Sequence, residues 1–498
     1  MPKGPLKFPV FPPRLRLWAV RLFFTTAGTG SELILRFVRT VILAHLLAPA
    51  EFGVAIAITL LIFASELASD IGLDRFILNK PKEDLKALAT VHALQIGRGI
   101  LLSFVIVLCA SPTARLFDVP QFASSFMLAA LPAFIRGFGH LGVKQAQRDY
   151  NYRLEAISIT SSQLISLTAT IAMAYVLRDH RVIIVAFSVE ALAFVIMTHR
   201  LAPSPFSARA DATIARQVLA YGLPLVANGI VLAVMTQADR MLVGHYSGLE
   251  ALANYAVVLN IAIVPLSTVY RIVASVALAM FARDHERRQL EVSYVLVVWG
   301  FSLVGFMYAC SMSLGLDVVV PLIFGKAYKV TQSTRLLVSL IVFTRVLRWA
   351  PTLSLLTLAR TKELTFANMV GGCGIVIAAV IAAFDHDMSS ILIGVLVGDI
   401  ASTAAFQRIV MRQLPPARPS IEKSLLGGVL SALMIFGGTL LLPEASLGSR
   451  LQLAALFLIP AGLLAVGLLR SWNHREAVIA RGSDGAIELD RTEAADVR

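Results

Sequence analysis

The sequence predicts an all-α, polytopic membrane protein: about fourteen transmembrane helices, arranged as two six-helix lobes with pseudo-twofold symmetry plus two C-terminal helices. Three observations lead there. Of the 498 residues, 57% are hydrophobic and only 15% charged, whereas soluble domains carry about 25% charged residues. Apolar runs of about 18 to 25 residues, the length a helix needs to cross a bilayer, recur along almost the whole chain. The pattern also repeats itself after six such runs.

Hydropathy places the spans at roughly 22–47, 52–78, 87–110, 120–143, 154–177, 182–199, 218–244, 251–281, 290–316, 330–358, 364–384, 388–410, 421–442 and 450–471. Lys and Arg counted in alternate loops give about 28 on one side and about 6 on the other, which puts both termini in the cytoplasm. The net charge of +13 is thus spread over short loops, and nucleic acid is not an expected partner. Cys109, Cys310 and Cys373 lie in apolar segments without ligand spacing and read as small core residues. The basic stretch "MPKGPLKFPVFPPRLRLWAVRLFF" lacks a small-residue cleavage site and reads as a cytoplasmic arm leading into the first span.

The repeat is visible in the loops. "RTVILAHLLAPAEFGVA" ends the first span and "RMLVGHYSGLEALANYA" ends the seventh, sharing Arg, a small residue before His (His45, His245) and a Glu (Glu51, Glu250). "ARLFDVPQF" before the fourth span echoes "PLIFGKAYK" before the tenth, and "QAQRDYNYRLEA" corresponds to "LTLARTKELTFA". A six-span unit enters the membrane the same way round twice, so the halves are related by an axis along the membrane normal. The expected organisation is an N-terminal lobe at 1–200, a linker at 201–217, a second lobe at 218–413, two additional helices within 414–471 and a polar cytoplasmic tail at 472–498.

The stretches "LAHLLAPAEFG", "DIGLDRFILNK" and "YGLPLVANGIVLAVMTQADRMLVGHYSGLEALANYAVV" resemble the polysaccharide-transporter family of the multidrug/oligosaccharidyl-lipid/polysaccharide exporter superfamily, over most of the first twelve spans. That resemblance implies a flippase of the bacterial inner membrane, moving an undecaprenyl-pyrophosphate-linked oligosaccharide outward by alternating access for polysaccharide or lipopolysaccharide synthesis. It implies glycosyltransferases and a polymerase as partners, no cofactor, and no enzymatic activity. In the related lipid II flippases two extra C-terminal helices form a groove for the lipid tail; here 421–442 and 450–471 either do the same or are packing helices. An ion-coupled drug or small-molecule antiporter and a membrane-embedded polymerase or ligase are the alternatives. Drug exporters of the superfamily typically have twelve spans and an acidic first span, from which this chain departs.

Buried charge supplies the candidate site. Glu32, Arg36 and Arg39 follow i, i+4, i+7 spacing and share one face of the first span. Ten arginines lie in apolar segments, and facing lipid they would cost roughly 25–35 kcal/mol. Arg75, Arg240 and Arg335 are near span ends and can snorkel. Arg36, Arg39, Arg98, Arg136, Arg271, Arg345 and Arg348 lie deeper and are expected to line a wet interior, where guanidinium forks suit a pyrophosphate. Glu66 and Asp70, one turn apart, are placed to neutralise Arg36 or Arg39. Asp239 and Asp399 are candidates for carrying a coupling proton or sodium ion, although Asp239 precedes Arg240 and local compensation accounts for it equally.

Other motifs are set aside. "GFGHLG" matches GxGxxG but follows no strand, and it reads with "GVLVG" as a helix-packing face. No GxxxxGK[ST] occurs. "DHD" (Asp385–Asp387) reads as a solvated turn, and His45 and His245 as interfacial residues.

Overall fold

A computed structural model describes residues 13–496 except 82–83, 150, 284–286, 359 and 442–446; for 13–29, 479–496 and several short stretches only the backbone is described. The described residues are mostly helical, with no strand among them, and twelve of their helices are long and apolar enough to cross a membrane. They form two compact units, Met1–Ala253 and Asn254–Arg498.

The first unit contains α1 (Pro13–Leu46), α2 (Pro49–Ala68), α3 (Leu73–Leu78), α4 (Leu85–Leu116), α5 (Ala123–Leu128), α6 (Ala130–Arg136), α7 (Gly142–Gln145), α8 (Arg153–Leu177), α9 (Arg181–Leu201) and α10 (Ala212–Leu242). Local chemistry sets several starts. Pro49 opens α2, where its missing N–H goes unneeded. The Asp84 carboxylate caps α4 by accepting from Ala87 N at 2.9 Å, and Asp211 caps α10 through Thr213 N and Ile214 N. The linker between α9 and α10 is fastened from beneath: His92 Nδ1 lies 3.0 Å from Ser207 O, and His140 Nε2 lies 2.9 Å from Ser204 O.

The expected continuous fourth span is corrected. It is broken into α5, α6 and α7, because Pro132 has no N–H for the Leu128 carbonyl and Gly137 and Gly139 follow. The break lets α6 meet α4 backbone to backbone: a Cβ on Gly99 would fall 2.8 Å from Gly137 Cα. "GFGHLG" is therefore a packing face.

The second unit contains α11 (Leu249–Arg283, its first turn in the first unit), α12 (Arg287–Phe324), α13 (Gln332–Leu347), α14 (Trp349–Thr357), α15 (Thr361–Ala382), α16 (Met388–Gln413), α17 (Arg418–Leu441) and α18 (Leu447–Asp496). The repeat is visible in the backbone. The tenth span breaks between α13 and α14, where Pro351 leaves the Leu347 carbonyl to accept from Gln407 Nε2 at 3.3 Å. Asp118 in "LFDVP" and Gly325 in "IFGKA" both take positive φ, 55° and 101°. In α15 and α16, a Cβ on Gly398 would fall 2.7 Å from Gly374 Cα, so "GVLVG" is a packing face too.

The last two helices share a core with α12 and α13. Phe306, Phe343, Ile435, Phe457 and Leu464 pack there, with Phe306 edge-on to Phe343 and Phe457. Arg450 clamps α18 to α12 by donating to both Asp317 oxygens, at 3.2 and 2.7 Å. Two differences from the expected organisation stand out. The polar tail continues as helix to Asp496. The first helix of the second repeat, α10, lies in the first unit, because a Cβ on Gly229 would fall 2.0 Å from Leu67 O and one on Gly222 would fall 2.6 Å from Ile71 O. Glycine at those two positions lets α10 touch the end of α2 directly.

Candidate functional site

A cavity of about 590 Å³ opens inside the first unit, between α1, α2, α4, α6, α8, α9 and α10. Its deep end is built on one carboxylate. Glu190 on α9 is buried and accepts from Arg39 Nη1 at 2.9 Å, Gln163 Nε2 at 2.9 Å and Arg36 Nη2 at 3.4 Å. Arg136 Nη1 from the end of α6 stands 3.7 Å away. Glu32 adds a second acid one turn before Arg36, at 2.9 Å, the favourable order for an i, i+4 pair. Three guanidiniums and two carboxylates therefore meet here.

Phenylalanines hold those guanidiniums in place. Arg36 lies over Phe63 at 5.4 Å, Arg39 over Phe187 at 4.7 Å and Arg136 over Phe194 at 5.0 Å, geometry that attracts a cation to the ring face. Arg39, 5% exposed, also donates to Ser166 Oγ at 3.0 Å. Arg36 and Arg136 are 28% and 42% exposed in their side chains and line the cavity. Arg36 Nε and Gln95 Oε1, both on cavity-lining residues, have no hydrogen-bond partner among the described residues.

Arg98 also lines the cavity but is otherwise engaged. It donates to Ser69 O at 2.7 Å, Glu66 O at 3.1 Å and Ser69 Oγ at 3.0 Å, closing the C-terminal end of α2 where carbonyls lack partners. Glu66 and Asp70 do not neutralise Arg36 or Arg39 as expected. They line the wall further along, where Asp70 accepts from Gly72 N at 2.9 Å and is 3.9 Å from Arg75; Glu190 takes the neutralising place. Beyond them Lys144 bridges Asp74, at 3.2 Å, and Glu155.

The whole wall corrects another expectation. Six carboxylates line it: Glu32, Glu66, Asp70, Asp74, Glu155 and Glu190. Against them stand Arg36, Arg98, Arg136 and Lys144. The guanidiniums are concentrated at the Glu190 end, where Glu32 and Glu66 accompany Glu190, and a guanidinium surplus is not a property of the cavity.

The second unit carries a parallel cluster. Arg345 Nε is 2.8 Å from Asp399 Oδ2, Arg348 Nη1 is 3.2 Å from Asp399 Oδ1, and Arg348 also donates to Ser402 Oγ at 3.0 Å. Asp399 is thus engaged by two arginines. Asp239 accepts from the Arg240 backbone N–H at 2.9 Å, while the Arg240 guanidinium donates to Gln237 Oε1 at 2.8 Å. Arg271 lies in α11, and its side chain falls outside the described residues. A smaller cavity of about 330 Å³, lined by Arg288, Glu291, Arg470 and His474, lies between the start of α12 and α18. No group of three or more metal-ligating side chains occurs among the described residues.

Glu190 is the residue sequence reasoning left without a role, and the repeat contains the signal. Arg345 and Asp399 stand 54 residues apart, the same spacing that separates Arg136 from Glu190.

These helices, two broken at matching places, frame the comparison with known proteins. The family model described as polysaccharide biosynthesis protein matches residues 42–333, more than half of the 498. The chain belongs to that family. The chain is 20% identical over 297 residues to the lipopolysaccharide biosynthesis protein WzxC of Escherichia coli, covering 59% of this chain and 60% of that one. It is 25% identical over 263 residues to the succinoglycan biosynthesis transport protein ExoT of Rhizobium meliloti, covering 51% and 52%. The match thus spans little more than half the length of these curated relatives. Among solved structures, the inward-facing multidrug resistance transporter of the MATE family, in the MOP superfamily, superposes with a TM-score of 0.61 at 11% identity, over 79% of this chain and 95% of that one. The lipid II flippase MurJ superposes with a TM-score of 0.60 at 12% identity, over 91% and 99%. The chain therefore shares the fold of these two transporters.

Proposed function

We propose that this protein flips a lipid-linked oligosaccharide across the bacterial inner membrane, with its basic loops and both termini on the cytoplasmic side, by alternating access. The cargo is an undecaprenyl-pyrophosphate-linked repeat unit made by glycosyltransferases and passed to a polymerase.

One observation carries the reading: three guanidiniums converge on Glu190 at the deep end of a polar cavity, and two of them line it. Guanidinium forks bind phosphate oxygens bidentately, so Arg36 and Arg136 suit a diphosphate. The rest of the wall fits the other half of the cargo, since carboxylates and glutamines accept from and donate to sugar hydroxyls. Family membership and the names of the matched relatives support the same class of cargo.

A second reading has one observation in its favour. Six carboxylates against four cations on the whole wall suit a cationic small molecule or a coupling ion, as in an ion-coupled antiporter.

The test is leaflet exchange of a fluorescent polyprenyl-diphosphate oligosaccharide in proteoliposomes. Arg36→Ala and Arg136→Ala at normal protein levels are expected to lower the rate at least tenfold, the scale of one lost charge-assisted contact. Full activity in both variants contradicts the assignment.

A further inference from the structure

Glu190 is approached by three guanidiniums and holds them unequally, with Glu32 2.9 Å from Arg36 and Glu66 also acting on Arg136. Arg39 is the fixed end: buried, 2.9 Å from the carboxylate, tied to Ser166 and outside the cavity lining. Arg36 and Arg136 are the loose ends, at 3.4 and 3.7 Å, and both face the cavity. The two guanidiniums that Glu190 holds loosely are thus the two that a ligand in the cavity can reach.

The arrangement is duplicated. In the second unit a single acid, Asp399, again engages an arginine 54 residues before it, Arg345, at 2.8 Å and a second arginine, Arg348, at 3.2 Å. The acid again lies on the last helix of its repeat, and the arginine 54 residues before it again lies in a proline-broken span; Arg348 belongs to that same span, whereas Arg36 and Arg39 come from α1.

We propose that Glu190 is a resident counter-anion, with Asp399 its counterpart: each holds its arginines while no cargo is bound, and the cargo's phosphate displaces it from the looser ones. This rests on the phosphate-bearing cargo proposed above. In the first unit, phosphate takes Arg36 and Arg136 while Glu190 keeps Arg39. The carboxylate thereby keeps the arginines ordered when the cavity is empty, and it competes with the cargo so that the cargo can leave.

The experiment measures binding of geranylgeranyl diphosphate to the full chain in detergent, with inorganic pyrophosphate as the headgroup alone and geranylgeraniol as the neutral lipid. Glu190→Gln removes the competing anion and is expected to bind both phosphate probes about tenfold tighter than the natural protein, with no gain for the alcohol. Equal or weaker phosphate binding by folded Glu190→Gln, or an equal gain with the alcohol, overturns the inference. If Glu190→Gln fails to fold, Asp399→Asn decides, because its arginines are 27% and 23% exposed and tolerate the loss better. Tighter phosphate binding then supports the inference, and unchanged or weaker binding overturns it. A natural protein that prefers neither phosphate probe to the alcohol removes the phosphate-cargo reading itself, whereas phosphate binding that no variant tightens removes only the counter-anion.

Discussion

Arg39 Nη1 lies 2.9 Å from Glu190 Oε2, with only 6% and 4% of the two side chains exposed. That contact joins the first helix of the repeat, α1, to its last, α9, and it fixes the deep end of the cavity from behind. Its strength is directly measurable. Breaking a buried pair by removing one partner costs about 3–5 kcal/mol, so Arg39→Ala is expected to lower unfolding stability by about that amount. Arg39→Lys keeps the charge but gives up the planar fork shared between Glu190, Ser166 and Phe187, and should fall between. Denaturant unfolding in detergent distinguishes the three proteins.

Backbone contact between α15 and α16 gives a second expectation. A Cβ on Gly398 would fall 2.5 Å from Gly371 O and 2.7 Å from Gly374 Cα, whereas one on Gly30 meets nothing within 4 Å. Gly398→Ala is therefore expected to destabilise by about 1–3 kcal/mol through overpacking. Gly30→Ala should be neutral or stabilising by about 0.5–1 kcal/mol, since glycine is the costlier residue in a helix interior. Comparing their melting temperatures checks the sign as well as the size.

Three residues elsewhere have the layout of a hydrolytic triad. His180 Nδ1 is 2.7 Å from Glu51 Oε2, and His180 Nε2 is 2.8 Å from Ser125 Oγ. Both His180 and Ser125 are at most 3% exposed and neither lines the large cavity, so no substrate carbonyl reaches the serine. The geometry instead ties the first turn of α2 to α5 and the start of α9. Ser125→Ala should leave transport unchanged, and a fluorophosphonate probe should not label the protein. His180→Ala should lower stability, because Glu51 loses the imidazole Nδ1 partner and buried Ser125 loses Nε2, while the residue-180 backbone N–H still donates to Glu51.

Lys144 gives a pH expectation. Burial works against its charge, but Asp74 and Glu155 outweigh that and raise its pKa above the usual lysine value. A raised folded-state pKa means that the stabilisation is complete below the unfolded value, about 10.4, and fades as pH rises through the folded value. Lys144→Met should thus lower stability at neutral pH and flatten the loss seen above about pH 10. Urea titrations at pH 7 and pH 10.5 to 11 read both effects.

Much of this was legible in the sequence, and the remainder has physical causes. Composition and run length identify a bilayer protein because lipid demands long apolar helices, and the loop repeat carries the duplicated architecture. Helical spacing placed Glu32, Arg36 and Arg39 on one face, and the structure turns Arg36 and Arg39 together onto Glu190. Hydropathy did not reveal the break in the fourth span, because Ala, Leu and Phe around Pro132 stay apolar whether or not the backbone hydrogen bonds continue. Nor could adjacency along the chain find the partner of Arg39, which lies 151 residues away. Glu66 and Asp70 were nearer in sequence but point along the wall. The acidic wall was missed for a related reason: Asp74 and Glu155 sit at span ends, where charge is ordinary, and only the tertiary arrangement brings them onto one cavity.

The central claim is that the deep arginines serve an anionic, phosphate-bearing cargo. The most direct measurement is to follow a polyprenyl-diphosphate oligosaccharide and a lipophilic cationic dye side by side in the same proteoliposomes. The account predicts protein-dependent exchange of the diphosphate lipid, lost in Arg36→Ala, with the dye unmoved. Movement of the dye alone, driven by a proton or sodium gradient and indifferent to Arg36, would contradict it.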